Sequence, residues 1–199
     1  TNERYLAGYS LHEGITAVTE LSAVAQNCPL IVMAVPSSSF RETAYALGEF
    51  IRGDQILLSA TKGLEQGSFL RMTEILRDET CCKKVGALSG PNLAREIMEG
   101  HPAATVIASR YDEVVATGAN LLASSVLRVY GNRDVIGTEL AGALKNILAI
   151  AAGVASGLGM GDNAKALLIT RGLAEISRLG VAAGADPLTF VGLTGVGDL

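Results

Sequence analysis

The chain has 199 residues, 49% of them hydrophobic and 18% charged, with a formal net charge of −4. So apolar a chain is not intrinsically disordered, and no basic run exceeds Lys83-Lys84, which excludes the electrostatic footprint of a nucleic-acid binder. Twenty-three Gly and no Trp suit close helix–sheet packing around a ligand and suit base stacking poorly. Cys28, Cys81 and Cys82 cannot close a disulfide framework, which points to a reducing, cytoplasmic compartment. His12 and His101 have no metal-ligand spacing with them, so no metal site is expected. Asn2-Glu3-Arg4 is not a secretory signal, and an opening Thr1 is expected of a segment of a longer chain.

Leu30–Val35 is a continuous apolar run stopped by Pro36 and reads as a strand buried on both faces. Ser39 and Glu42 have capping-box spacing, opening an amphipathic helix to about Ile51. A strand follows at Gln55–Ala60, a helix at Ser68–Asp78, a strand at Val85–Leu88, and a short helix through Glu99. Ala104–Ser109 and Val126–Tyr130 are the last strands, separated by a helix at about Asp112–Ala123. The alternation predicts an α/β fold with an open sheet of parallel strands linked by helical crossovers. After Arg133-Asp134 two helices dominate, about Thr138–Ala152 and Asn163–Leu179, the second with Asp162 as N-cap and Gly180 as its stop. A boundary near residue 133 therefore divides an α/β part, 1–133, from the start of a helical part, 134–199. Leu140–Gly161 is nearly long enough to span a bilayer, but it holds five Gly and Lys145. A central lysine costs at least ~2.5 kcal/mol in a bilayer, so a buried helix of a soluble protein is the expected state.

In an open α/β sheet, ligands sit beyond the carboxyl ends of the strands. Three loops fall there: Val35-Pro36-Ser37, Thr61-Lys62-Gly63 and Ser89-Gly90-Pro91-Asn92. Each alone could be an ordinary turn with a solvated lysine. The strongest anomaly is Lys145-Asn146, flanked by Leu144, Ile147, Leu148 and Ile150. Polar heads there must find partners or leave the core, and Gly142, one turn back, leaves room for a ligand. A desolvated lysine there would exchange protons near neutrality; the alternative is a lysine whose stem packs while its ammonium reaches water. Asp198 lies between glycines and apolar residues, either a turn aspartate or a site residue, and Arg171 and Glu175 have i,i+4 spacing.

Seven segments in one order extend the reading: Val35-Pro36-Ser37, Thr61–Glu65, Ser89–Glu96, Gly142–Asn146, Gly161–Ala164, Thr170–Glu175 and Gly195–Leu199. Together they make the chain resemble the bacterial NAD(P)-dependent glycerol-3-phosphate dehydrogenase family along essentially its whole length. The resemblance implies a Rossmann-like domain holding NAD or NADP, its first strand and turn missing here, followed by the start of an all-helical C-terminal domain. It implies reversible hydride transfer between NAD(P)H and glycerone phosphate, giving sn-glycerol 3-phosphate for glycerophospholipid synthesis. Carried over by position, Lys145 is the catalytic proton donor and acceptor. Lys62, Gly90, Asn92, Asn146 and Asp198 join it in binding substrate. Lys62, Ala94 and Pro36 contact the cofactor. Asn92 stands where many bacterial members have Ser or Thr. The family's Gly-x-Gly-x-x-Gly is expected before Thr1 and its phosphate-gripping Arg-Asn after Leu199. A homodimer is suggested, with no nucleic acid and no membrane span. A different hydroxyacid dehydrogenase and an inactive nucleotide-binding fragment are the alternatives.

Overall fold

In the computed structural model, which describes residues 4–199, five strands form one sheet in chain order. They are β1 (Leu30–Met33), β2 (Ile56–Ser59), β3 (Val85–Ser89), β4 (Ala103–Ser109) and β5 (Leu127–Asn132). The helices are α1 (Leu21–Asn27), α2 (Phe40–Gly48), α3 (Met72–Glu79), α4 (Ala94–Met98), α5 (Asp112–Leu122), α6 (Val135–Gly157), α7 (Asp162–Ala182) and α8 (Pro187–Phe190). The sheet with flanking helices, then helices alone, is the α/β Rossmann-like arrangement expected.

The sheet is mixed where an all-parallel one was expected. β1, β2 and β3 are parallel and β5 is parallel to β4, but β4 runs antiparallel to β3, with Gly86 opposite Ser109. Only the five-residue α4 lies between β3 and β4. That is too short to carry the chain back along the sheet, so β4 starts at the edge where β3 ends. The reversal positions the site. β5 ends at the opposite edge, and α6 starts there and runs back across the sheet, its Val135 packed with Ala87 and Ala108 and its Gly142 against Ser89.

The core has two layers. Phe40 and Leu47 of α2 and Met72, Ile75 and Leu76 of α3 pack on Ile31, Met33, Leu57 and Val85. Leu58, Ile107 and Val114 fill the other face. Each such side chain contributes about 1.5–3 kcal/mol when fully buried. β2 is buried along its length, as its unbroken apolar run requires. β1 is not: Val32 is 40% exposed, because β1 is an edge strand with one face uncovered among the described residues.

Three local expectations fail. Ser39 makes no side-chain cap, and residues 37–39 form a 3-10 turn whose end accepts the Thr43 hydroxyl at Ser39 O, 2.8 Å. Gly161, not Asp162, caps α7, and Asp162 pairs instead with Lys165 at 2.7 Å. α7 passes through Gly180 to Ala182, because Gly180 lies under the Phe190 ring and its missing Cβ serves packing rather than termination. Neither α1 nor α8 was expected; at seven and four residues they are too short to show a periodicity.

α6 is long and apolar enough to cross a membrane by length and composition. Both of its charges are paired within the chain, Glu139 to Arg71 and Lys145 to Asp198. Its first part is the more buried. Val135 and Gly137–Gly142 are covered, whereas farther along Leu148 and Ala155 are buried but Ile147, Ile150 and Val154 are exposed. The helix is therefore half-covered rather than a fully buried core helix.

Candidate active site

Because β1, β2 and β3 are parallel, the loops after them share one edge, and the reversed β4 adds Thr105 to it. The Thr61 hydroxyl donates to Val35 O at 2.6 Å, tying the first two loops together. A cleft of about 520 Å³ opens between them, lined by Ala34, Pro36, Ser37, Thr61 and Lys62.

Next to it, three residues far apart in sequence converge. Lys62 donates its Nζ to Gly90 O at 3.0 Å and pairs with Asp198 Oδ2. Lys145 Nζ lies 2.7 Å from Asp198 Oδ1 and donates to Asp198 O at 2.6 Å. The side chains are 28% (Lys62), 13% (Lys145) and 9% (Asp198) exposed. Two ammoniums thus share one carboxylate, giving a largely dehydrated cluster of net charge +1. Burial pulls Lys62 below the ordinary lysine range; its hydrogen bond to Asp198 opposes this and the charge of Lys145 adds to it.

Gly90 has φ +148 with Ala104 O and Thr105 Cα each 3.1 Å from where a Cβ would stand, so only glycine fits. Its carbonyl is thereby turned toward Lys62. Asn92 donates to Thr105 Oγ1 at 3.0 Å, and Thr105 donates to Ser89 O at 3.2 Å. Asn92 Oδ1 and Ser89 Oγ are buried with no hydrogen-bond partner among the described residues. Gly142 leaves no ligand space, contrary to expectation. A Cβ there would stand 2.7 Å from Ser89 Oγ and 3.6 Å from Lys62 Cγ, so its small size lets α6 settle onto the strand edge. Gly142→Ala should therefore push α6 outward and cost about 1–3 kcal/mol of stability, read as a lowered melting temperature. An unchanged melting temperature would show that Ser89 yields freely.

The structure does not gather every expected residue. Asn146 is exposed and has no hydrogen bond among the described residues, because one residue along a helix turns the side chain ~100° from Lys145. Ala94 and Pro36 are exposed, Ala94 at the start of α4 and Pro36 on the cleft wall. Arg171 and Glu175 do not pair; Glu175 faces Arg178 at 3.9 Å. Sequence reasoning missed Thr105 and a second support of α6. Glu139, 7% exposed, accepts from Thr73 N–H at 2.8 Å, the Thr73 hydroxyl at 2.6 Å and Arg71 at 2.7 Å. Burial raises its carboxyl pKa while Thr73 and Arg71 pull it down, and the network ties α3 to α6 three to six residues before Gly142 and Lys145. A glutamate in an apolar run was its only sequence signal.

Family models decide the relationship: residues 1–115 match the NAD-dependent glycerol-3-phosphate dehydrogenase N-terminus and residues 134–199 its C-terminus. The chain belongs to this family. It is 46% identical over 198 residues to a glycerol-3-phosphate dehydrogenase [NAD(P)+] of Halothermothrix orenii, covering 100% of this chain and 58% of that one. A second such enzyme, from Sphingopyxis alaskensis, is 50% identical over 198 residues, 60% of its length. The crystal structure of the Coxiella burnetii glycerol-3-phosphate dehydrogenase superposes with a TM-score of 0.93 at 38% identity, covering all of this chain and 61% of that one. That of the Saccharomyces cerevisiae enzyme gives 0.88 at 27% identity, covering 99% and 60%. The chain thus spans about three-fifths of the relatives it matches.

Proposed function

We propose that the full-length protein catalyses reversible hydride transfer between NAD(P)H and glycerone phosphate, yielding sn-glycerol 3-phosphate. The observation that carries this reading is the Lys62–Asp198–Lys145 cluster beside the cleft at the ends of β1 and β2. The residues present fit a nicotinamide dinucleotide. The cleft is of ligand size, Lys62 puts a cation at its inner end, and Asn92 Oδ1 is a buried polar atom with no hydrogen-bond partner among the described residues. Pro36, Lys62 and Ala94 would hold the cofactor, which supplies the hydride when bound.

The chain's own residues do the rest. Lys145 donates a proton to the ketone oxygen as negative charge develops, and its cation stabilises that charge. In the reverse direction the neutral amine takes the hydroxyl proton back. Asp198 aims both ammoniums and accepts from the glycerol hydroxyls. Gly90 and Asn92 lie against the substrate, and Asn92 Oδ1 accepts a hydrogen bond from a substrate hydroxyl. Residues 1–133 form the cofactor domain and 134–199 open the substrate domain. The reading extends to a cytoplasmic homodimer supplying glycerophospholipid precursors, acting on a small molecule and not on nucleic acid.

The test is steady-state reduction of glycerone phosphate by the full-length protein with NADH and with NADPH, alongside short 3-oxo acids. Preferred reduction of an oxo acid would overturn the substrate assignment. Within the same assay, Lys62→Ala should weaken both cofactor and substrate binding by ~1.5–3 kcal/mol through loss of a charge-assisted contact. Unchanged dissociation constants for both would return Lys62 to a solvated lysine at a strand end.

A further inference from the structure

At the opposite edge of the sheet from Lys145 lies a cavity of about 410 Å³, within the size range of small-molecule sites. Four arginines line it: Arg71 and Arg77 of α3, Arg110 after β4, and Arg133 before α6. Their states differ. Arg71 is held by Glu139 at 2.7 Å and Glu74 at 2.6 Å, and Arg133 by both oxygens of Asp112 at 2.8 and 2.7 Å. Arg77 and Arg110 have neither ion pair nor hydrogen bond among the described residues.

Two carboxylates share the lining, Asp134 and Asp186, and both are engaged by other donors. Asp134 accepts from Gly137 N–H at 2.8 Å, Asp186 N–H at 2.9 Å and the Thr189 hydroxyl at 2.7 Å. Asp186 accepts from Leu188 N–H at 2.9 Å. Asp134 thus serves as the cap of α6 rather than as the counter-ion of Arg77 or Arg110. The first turn of the 23-residue α6, Val135 and Ile136, forms part of the same wall, with its N–H groups at Val135 and Gly137 taken by Arg133 O at 3.1 Å and by Asp134 at 2.8 Å.

Two guanidinium forks facing one cavity, without counter-ions among the described residues, match the donors that phosphate oxygens require. We propose that this cavity binds a small phosphate-bearing anion, at a site distinct from the candidate active site. Arg77 and Arg110 contact its oxygens directly, while Arg71 and Arg133 stay with their own carboxylates. Val135 lies about ten residues before Lys145 on α6, so ~15 Å of helix separates the two sites.

Titration calorimetry of the full-length protein tests the proposal, with inorganic phosphate and phenyl phosphate as parallel probes. Both are run on the wild type, on Arg77→Ala/Arg110→Ala and on Lys62→Ala, whose lysine belongs to the candidate active site. The expected result is binding that weakens at least ~10-fold in the double arginine variant and persists in Lys62→Ala. Tighter binding of phenyl phosphate would assign a phosphomonoester, and equal binding free phosphate. The exposed Arg110→Ala alone replaces the double variant if the latter melts early, and the same direction of change is expected. Binding unchanged in the arginine variants, lost only in Lys62→Ala, or absent from the wild type would each overturn the site.

Discussion

Lys145→Met should lower turnover of the full-length protein by ~10²–10⁴, the usual worth of general acid catalysis, with folding and NAD(P)H affinity near those of the wild type. Methionine matches the length of the stem and suits its apolar surroundings. The charge arithmetic of the site favours a folded variant. Two ammoniums share the Asp198 carboxylate, so removing one leaves Asp198 paired with Lys62 and the cluster neutral. The measurements are steady-state kinetics with glycerone phosphate and a thermal melt. Turnover within a few-fold of wild type would sink the mechanism and leave Lys145 a structural ion-pair partner of Asp198.

Asp198→Asn should act differently, on stability as well as rate. It leaves two ammoniums in one largely dehydrated place with no counter-charge between them. Breaking a buried pair from one side costs ~3–5 kcal/mol, and the residual exposure of Lys62 brings the expected loss to about 2–4 kcal/mol. Turnover should fall as well, since both lysines lose the group that aims them. The direction with pH follows from Lys62. Burial lowers its pKa and Asp198 partly restores it, so without the carboxylate Lys62 gives up its proton at lower pH than in the wild type. Substrate affinity in the variant should therefore decline with rising pH sooner than in the wild type. An unchanged melt together with a superimposable pH profile of KM would mean that the two lysines do not depend on Asp198.

The contrast between the two variants rests on a constellation only partly legible in sequence. Lys145 drew attention because a charge in an apolar helical run needs a partner, and that argument is local. The partner was not legible, since Asp198 is 53 residues away and reads equally well as a turn aspartate. Gly142 was misjudged for the same reason: periodicity shows a gap on the helix, but not that Ser89 and Lys62 fill it. Asn146 drew attention through adjacency in sequence, which on a helix places neighbours on different faces.

The elements themselves were readable because their causes are local. An unbroken apolar run stopped by Pro36 marks β1, turn residues bound β2 and β3, and amphipathic spacing after Ser39 marks α2. The family resemblance rests on the same linear order of short motifs, as the family models confirm over residues 1–115 and 134–199. What only the tertiary structure decided is where strands run and which charges meet. The reversal of β4 follows from a crossover too short to traverse the sheet, and it lets α6 start at one edge and deliver Lys145 to the other. The pairing of Glu139 with Arg71, of Lys145 with Asp198, and the absence of any partner for Arg77 and Arg110 among the described residues are long-range outcomes of that path. Hydrophobic periodicity specifies a face to bury, but charge pairing depends on which elements the completed sheet brings within ~4 Å, and nothing local encodes that distance.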